Sequence, residues 1–272
     1  MKKFVTVKYQ IDSDKIKCPF TVVMVSDLHN VVFGEKNSQL LKKIGEIAPD
    51  FLVIAGDLVL GKPEASLKEP EEFLKQALKI APVFYAPGNH EQRMKLYPQT
   101  YGKAYIGYEK RIQRMGVKLL ENRTEIIQIK GQDVAVTGLE LPYEYYLKRK
   151  QKTLEKRELT RLLGKPKKDC FQILLAHTPK YGKTYLERGG DLIFSGHYHG
   201  GMVRLPFFGG VVSPDLRLFP RFSHGKFTQE DRHLIVGAGL GEHTIPLRIF
   251  NPRELVVVCC APKDGQEKGK TK

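Results

Sequence analysis

Short apolar runs recur along the chain at Phe20–Val25, Phe51–Ala55, Pro82–Ala86, Phe171–Ala176 and Asp191–Phe194, and each ends in a cluster of Gly, Asp, Asn or His. Such runs, bounded by turn residues, predict buried strands with polar C-terminal loops. Between the first two, Leu40, Leu41, Ile44 and Ile47 repeat at helical spacing. Between the second and third, Phe73, Leu74, Ala77 and Leu78 do the same, with Pro70 near the start. The pattern is βαβαβ, and in sheets of that kind ligands collect outside the carboxyl ends of the strands.

After Gly116 the pattern changes. Val117–Leu120, Glu125–Lys130 and Val134–Gly138 predict short strands, the last two joined through Gly131, Gln132 and Asp133, and they fit a second sheet or a mixed edge equally well. The segment from Leu147 to Lys168 carries Lys148, Arg149, Lys150, Lys152, Lys156, Arg157, Arg161, Lys165, Lys167 and Lys168 against Glu155 and Glu158. It reads as a solvated helix face, with a functional basic patch as the alternative. No repeat is present, so residues 1–260 are expected to form a single domain. The polar, basic stretch 261–272 is expected to be a disordered tail.

A chain of 272 residues, 41% apolar, buries a sizeable core. No apolar run approaches the roughly 18 residues of a membrane span, and the first twenty residues alternate where a signal peptide would carry an uninterrupted apolar stretch. A cytoplasmic location is the resulting expectation. Cys18, Cys170, Cys259 and Cys260 show neither metal-binding spacing nor the density of a disulfide framework, so they are expected to be reduced and structural. A net charge of +15 biases the protein toward anionic partners: phosphorylated metabolites, nucleic acid or an acidic membrane surface.

The predicted strand ends carry the chemistry. They read "SDLHN" with Asp27 and His29, "AGDL" with Asp57, "PGNHE" with Asn89 and His90, "AHTP" with His177, and "SGHYHGG" with His197 and His199. Five of the eight histidines therefore lie at strand ends. In a strand, His197 and His199 would point to one face, because side chains alternate, and the surrounding glycines would let a ligand approach. Imidazoles mixed with carboxylates suit first-row divalent metals, and the lack of cysteine ligands argues against a structural zinc cluster. A shared carboxylate can bridge two cations that activate a bridging water and clamp an in-line displacement. Two divalent cations outweigh Asp27, Asp57 and one hydroxide in charge, so a phosphate ester would be attracted.

The ordered blocks D-x-H, G-D, G-N-H-E, a lone His and G-H-x-H, spread over residues 26 to 200, resemble the signature of the calcineurin-like metallophosphoesterases. The stretches "GGMVRLPFFGGVVSP" and "VGAGLGEHTIPLRIFNPRELVVV" resemble the bacterial branch that contains YaeI and YkuE. The resemblance implies an α/β fold, a four-layer αββα sandwich of two mixed sheets flanked by helices. It implies two metal ions per chain, manganese, iron or zinc. Asp27, His29 and His199 would hold one, Asn89, His177 and His197 the other, and Asp57 would bridge them. His90 would contact the scissile phosphate or protonate the leaving group, with Glu91 orienting its imidazole. The implied activity is hydrolysis of a phosphomonoester or phosphodiester by a metal-bridging hydroxide.

Two departures from that branch, Tyr198 between the paired histidines and Met202 where Gln is usual, alter the substrate-facing rim and leave the ligands intact. His233 reads as a structural strand residue, and His243 lies in a glycine-rich loop that lacks the partners of a dinucleotide fingerprint. Arg93, Arg204 and Arg248 are candidates for holding a second phosphate, against the ordinary reading of surface arginine. Two rival readings are a catalytically silent scaffold of the same fold, which would be expected to show a damaged block, and a nuclease drawn to nucleic acid by the basic segment.

Overall fold

A computed structural model of the chain describes residues 2–147, 152–167, 169–201, 204–205, 209–210, 220–242 and 248–263. Met202, His243, residues 264–272 of the expected tail, and Lys148, Arg149, Lys150 and Lys168 of the basic segment lie outside the described residues.

The chain runs β1 (Val5–Ser13), β2 (Phe20–Val25), α1 (Ser38–Ile47), β3 (Phe51–Ala55), α2 (Lys68–Ala77) and β4 (Val83–Ala86), which contains the βαβαβ unit read from apolar spacing. Helices α3 (Asn89–Leu96), α4 (Pro98–Tyr101) and α5 (Ala104–Arg114) lead to β5 (Lys118–Leu119), β6 (Arg123–Ile129) and β7 (Gln132–Leu139). Then come α6 (Lys156–Leu163), β8 (Phe171–Ala176), α7 (Gly182–Arg188) and β9 (Leu192–Ser195). The short pair β10 (Arg204–Leu205) and β11 (Gly209–Gly210) precedes β12 (Gly225–Gln229), β13 (Arg232–Val236) and β14 (Glu254–Pro262).

Two six-stranded mixed sheets result, in the orders β1-β14-β2-β3-β4-β5 and β12-β13-β9-β8-β7-β6. The ambiguity after Gly116 resolves both ways: β5 is an edge of the first sheet, while β6 and β7 belong to the second. The N-terminal alternation is an edge strand, β1, paired parallel to β14. The closing strand runs through Pro262, so it takes up the first residues of the expected tail.

Strand periodicity builds the four layers. Phe20, Val22, Met24, Phe51 and Val53 point between the sheets toward Val134, Val136, Phe171, Ile173 and Phe194. Their neighbours Val23, Val25, Leu52 and Ile54 point outward, where Leu40 and Ile44 of α1, Phe73 and Leu74 of α2, and Tyr105, Tyr108 and Ile112 of α5 cover them. Leu159 of α6 and Tyr185 and Leu186 of α7 cover Leu174, Ile193, Leu234 and Val236 on the far side. This is a four-layer αββα sandwich. Lys156, Arg157 and Arg161 of α6 are exposed, as a solvated helix face requires. No helix among the described residues is long and apolar enough to cross a membrane.

Phe51 ties the inter-sheet core together. It is fully buried, and its ring lies 6.1 Å from Phe20 and 5.6 Å from Phe84. Phe51→Ala should cost about 3–5 kcal/mol, read as a lower denaturant midpoint with the m-value unchanged. A loss under about 1 kcal/mol would contradict this account of the core.

Candidate metal centre

The loops leaving β2, β3, β4, β8 and β9 all open at one pole, so residues far apart in sequence meet there. The loops after β2 and β3 stay paired beyond their strands: Asp27 N–H donates to Gly56 O at 3.0 Å and His29 N–H to Asp57 O at 3.1 Å. Turning the side chains inward takes unusual backbone. Asp27, His29, Asp57, His197 and His199 all have positive φ, between 46° and 64°. Left-handed backbone is costly for such residues and clusters at functional sites. The paired histidines therefore lie in a turn past the end of β9, not in a strand, and they diverge. His197 packs edge-on to His177 with ring centroids 5.0 Å apart, while His199 stacks on His29 at 5.2 Å and 5°.

Imidazole nitrogens and carboxylate oxygens converge between these side chains. His29 Nε2 and His199 Nε2 face each other at 3.3 Å. Asp27 Oδ1 lies 3.6 Å from His199 Nε2, and Asp57 Oδ2 lies 3.8 Å from His29 Nε2. On the other side, His177 Nε2 faces Asp57 Oδ2 at 3.1 Å and Asn89 Oδ1 at 3.2 Å. His177 Nδ1 lies 2.8 Å from Ala55 O. A carbonyl only accepts, so Nδ1 carries the ring proton and Nε2 is left to bind a cation. Among the described residues, Asp27, His29 and His199, then His29, Asp57 and His90, and then Asp57, His177 and His197 each place ligand atoms within 4.8 Å of one another. Among the described residues, Asp27 Oδ2 and His29 Nδ1 are buried without a hydrogen-bond partner. Oxygen and imidazole groups packed this densely suit a divalent metal, so the residues are able to bind metal.

Several groups fix the ligands. A Cβ on Gly88 or Gly196 would occupy the space of the Asp57 or Asp27 carboxylate. Asp27 Oδ1 accepts His197 N–H at 2.8 Å, which ties the two sheets together at the site. Glu91 is saturated: Asp57 N–H, Gly88 N–H, Val59 N–H and the Tyr85 hydroxyl all donate to it. It thus braces the Asp57 and Asn89 loops, where sequence reading expected it to orient His90. The partner of His90 is instead Gly61, whose N–H donates to Nδ1 at 2.9 Å.

The turn carrying His199 is anchored by residues that the strand-end pattern does not reveal. Asn251 Nδ2 donates to His199 O at 2.6 Å and to Gly201 O at 2.5 Å. Arg204 donates to Asn251 Oδ1 at 2.5 Å and to buried Glu254 at 3.3 Å, and His224 also bonds Glu254. Arg248 donates to the carbonyls of Ala238 and Gly241 at 2.9 and 2.8 Å. Arg204 and Arg248 hold protein groups, and Arg93, which lines the cleft, donates to Gly61 O at 2.7 Å. His233 bonds Thr228 within the β12–β13 pair.

Electrostatics follow the geometry. Burial, reinforced by the neighbouring His90, lowers His29 to about 4, so its imidazole is neutral. Burial also lowers His90 to about 4, with Asp57 opposing and Arg93 assisting. For His177 burial is outweighed by Asp57 and Asp27, which raise it to about 10. A proton on His177 is thus held where a metal cation would sit. The cleft above these groups has a volume of about 950 Å³, and Lys2, Lys62, Arg93, Tyr143 and Tyr146 also line it.

The family profile described as Calcineurin-like phosphoesterase matches residues 20–201. An uncharacterized metallophosphoesterase of Helicobacter pylori is 25% identical over 257 residues, covering 92% of this chain and 62% of its own length. The chain thus spans less than two thirds of that relative. Phosphodiesterase YaeI of Escherichia coli is 24% identical over 225 residues, covering 82% of this chain and 76% of its own. The crystal structure of TT1561 from Thermus thermophilus shares the fold, with a TM-score of 0.50 at 13% identity over 82% of this chain and 91% of that one.

Removing the Asn251 anchor should loosen the His199 turn without touching a ligand. Asn251→Ala is expected to weaken metal binding about 10–100-fold, measured by competition with a chelator. An unchanged affinity would show that the anchor is irrelevant to the centre.

Proposed function

Because the chain belongs to the calcineurin-like phosphoesterase family, we propose that it hydrolyses a phosphomonoester or phosphodiester with two divalent cations of manganese, iron or zinc. The observation that carries this reading is the chain of overlapping ligand clusters, in which His29 links Asp27 and His199 to Asp57, and Asp57 links His29 to His177 and His197. Asp27, His29 and His199 would hold one cation, and Asn89, His177 and His197 the other. Asp57 Oδ2 lies close to His29 and His177 alike, as the bridging role demands. When bound, the cations supply Lewis-acid stabilisation of the phosphoryl oxygens and a nucleophile drawn from water at neutral pH. Lys2, Lys62 and Arg93 on the cleft wall favour an anionic substrate. The four cysteines are unbridged, in keeping with a reducing compartment such as the cytoplasm.

The hydrogen bond at His90 separates its two candidate roles. Nδ1 accepts from Gly61 N–H, so the ring proton resides on Nε2, which lies 3.9 Å from Asp57 Oδ2 and faces the centre. A cationic imidazole would need a second proton on Nδ1, where it would oppose the Gly61 donor. His90 therefore acts as a neutral N–H donor to a phosphoryl oxygen, and not as a general acid. Its contribution grows as negative charge develops on that oxygen in the transition state.

Two experiments test this reading. Chelation should abolish phosphoesterase activity and added Mn²⁺ should restore it, with Asp57→Asn impaired most among the ligand variants because it weakens both sites. Activity indifferent to chelation would defeat the metal-dependent mechanism. His90→Asn should retain its metal and lose about 10²–10³ in kcat, equally on alkyl and nitrophenyl esters. A much larger loss on the alkyl esters would restore the general-acid role.

A further inference from the structure

Tyr143 and Tyr146 have no part in the hydrolytic roles above, yet both line the cleft. They occupy the ends of a single 3-10 turn, Tyr143–Tyr146, and residues three apart in such a turn eclipse one another on one face. Their ring centroids are 6.5 Å apart, and Tyr97 extends the row with its ring 5.9 Å from Tyr143. The inner end reaches the metal ligands: Tyr146 lies 5.6 Å from the His197 ring and 6.3 Å from the His177 ring.

The turn is held rigidly. Tyr145, between the two, points into the core and packs edge-on against Tyr181, and its hydroxyl bonds Glu158. Its carbonyl accepts from the Tyr181 hydroxyl at 3.1 Å. Gln92 secures the approach to the turn by donating to Leu141 O at 2.6 Å. Both outer rings are half-buried, so each presents part of its surface to the cleft at little ordering cost on binding. The cleft, at about 950 Å³, is far larger than a phosphate requires.

We propose that the Tyr143–Tyr146 face is a subsite for the organic group of the substrate, and that it selects phosphoesters carrying a planar aromatic group, the chemistry shared by nucleosides and aryl esters. The inference rests on the phosphoesterase reading of the adjacent centre. Two fixed rings offer π faces and edges to a flat ring in offset or edge-on contact, an arrangement worth more than its buried area alone. A saturated group of equal size gains only the area. His90, Lys62 and Arg93 line other parts of the same cleft and can meet the phosphoryl group while the aromatic ring lies against the tyrosines.

The test is calorimetric binding of non-hydrolysable phosphonates to the metal-loaded protein. Phenylphosphonate should bind about three- to tenfold more tightly than cyclohexylphosphonate. That preference should survive in Tyr146→Phe and vanish in the double variant Tyr143→Leu with Tyr146→Leu, whose apolar bulk keeps the turn packed. An adenosine phosphonate that binds more tightly than phenylphosphonate would identify a nucleoside as the aromatic source, and one that binds no more tightly would identify an aryl ester. Equal binding of phenyl and cyclohexyl ligands in the unmodified protein, or a preference that persists in the double variant, would overturn the inference. Methylphosphonate is the control: if it binds, such a failure concerns the aromatic subsite alone, whereas failure of every phosphonate to bind would remove the phosphoesterase reading and this inference together.

Discussion

The pole of the molecule is organised around a contact that is repulsive unless positive charge is present. Asp57 Oδ2 and His177 Nε2 face each other at 3.1 Å, while the opposite nitrogen of the imidazole is committed to the Ala55 carbonyl. Two lone pairs at that distance in a buried setting require a proton or a metal ion between them. A few ångströms away His29 Nε2 and His199 Nε2 face each other at 3.3 Å, with Arg248 on the opposite nitrogen of His199 at 3.3 Å. The surroundings hold this tension in place: left-handed backbone at Asp27, His29, Asp57, His197 and His199, glycines that clear space for carboxylates, and Glu91 gathering backbone donors from both flanking loops. Strain of this kind persists only where the rest of the fold over-determines it.

The fold supplies that determination through its two sheets. Each contributes parallel strands whose carboxyl ends open at the same pole, and the His197 N–H to Asp27 Oδ1 bond links one sheet's loop to the other's ligand. The inter-sheet core keeps those strands in register. A shift of one sheet against the other would separate Asp27 and Asp57 from His177 and His199, which is why residues over a hundred positions apart can form one centre.

Much of this was legible in the sequence because its physical causes are local. Buried strands announce themselves as apolar runs, and the unit from Phe20 to Ala86 appears at nearly the expected boundaries. Polar residues at the ends of such strands are few enough to stand out, so Asp27, His29, Asp57, Asn89, His177, His197 and His199 were each visible. Less legible were features that depend on packing at a distance. Glu91 looks like a partner of its neighbour His90, yet it turns to the backbone of Asp57, Val59 and Gly88. Asn251 carries no local signal, and Arg204 and Arg248, which the sequence offers as holders of a phosphate, instead bond protein oxygens brought close by the fold. Tyr143 and Tyr146 left a faint one, aromatic residues three apart just past a strand, but only the turn geometry shows that both line the cleft. The pair His197 and His199 shows the limit of periodicity: two residues apart in a strand means one face, but in this turn it means two separate clusters.

On the reading proposed above, the clustered imidazoles and carboxylates hold two cations on a shared carboxylate. The most direct measurement is anomalous diffraction from crystals loaded with Mn²⁺ or Zn²⁺, combined with elemental analysis of the same protein. The account expects two peaks per chain, one enclosed by Asp27, His29 and His199 and the other by Asn89, His177 and His197, with Asp57 in contact with both. A single peak at saturation, or peaks away from these residues, would contradict it.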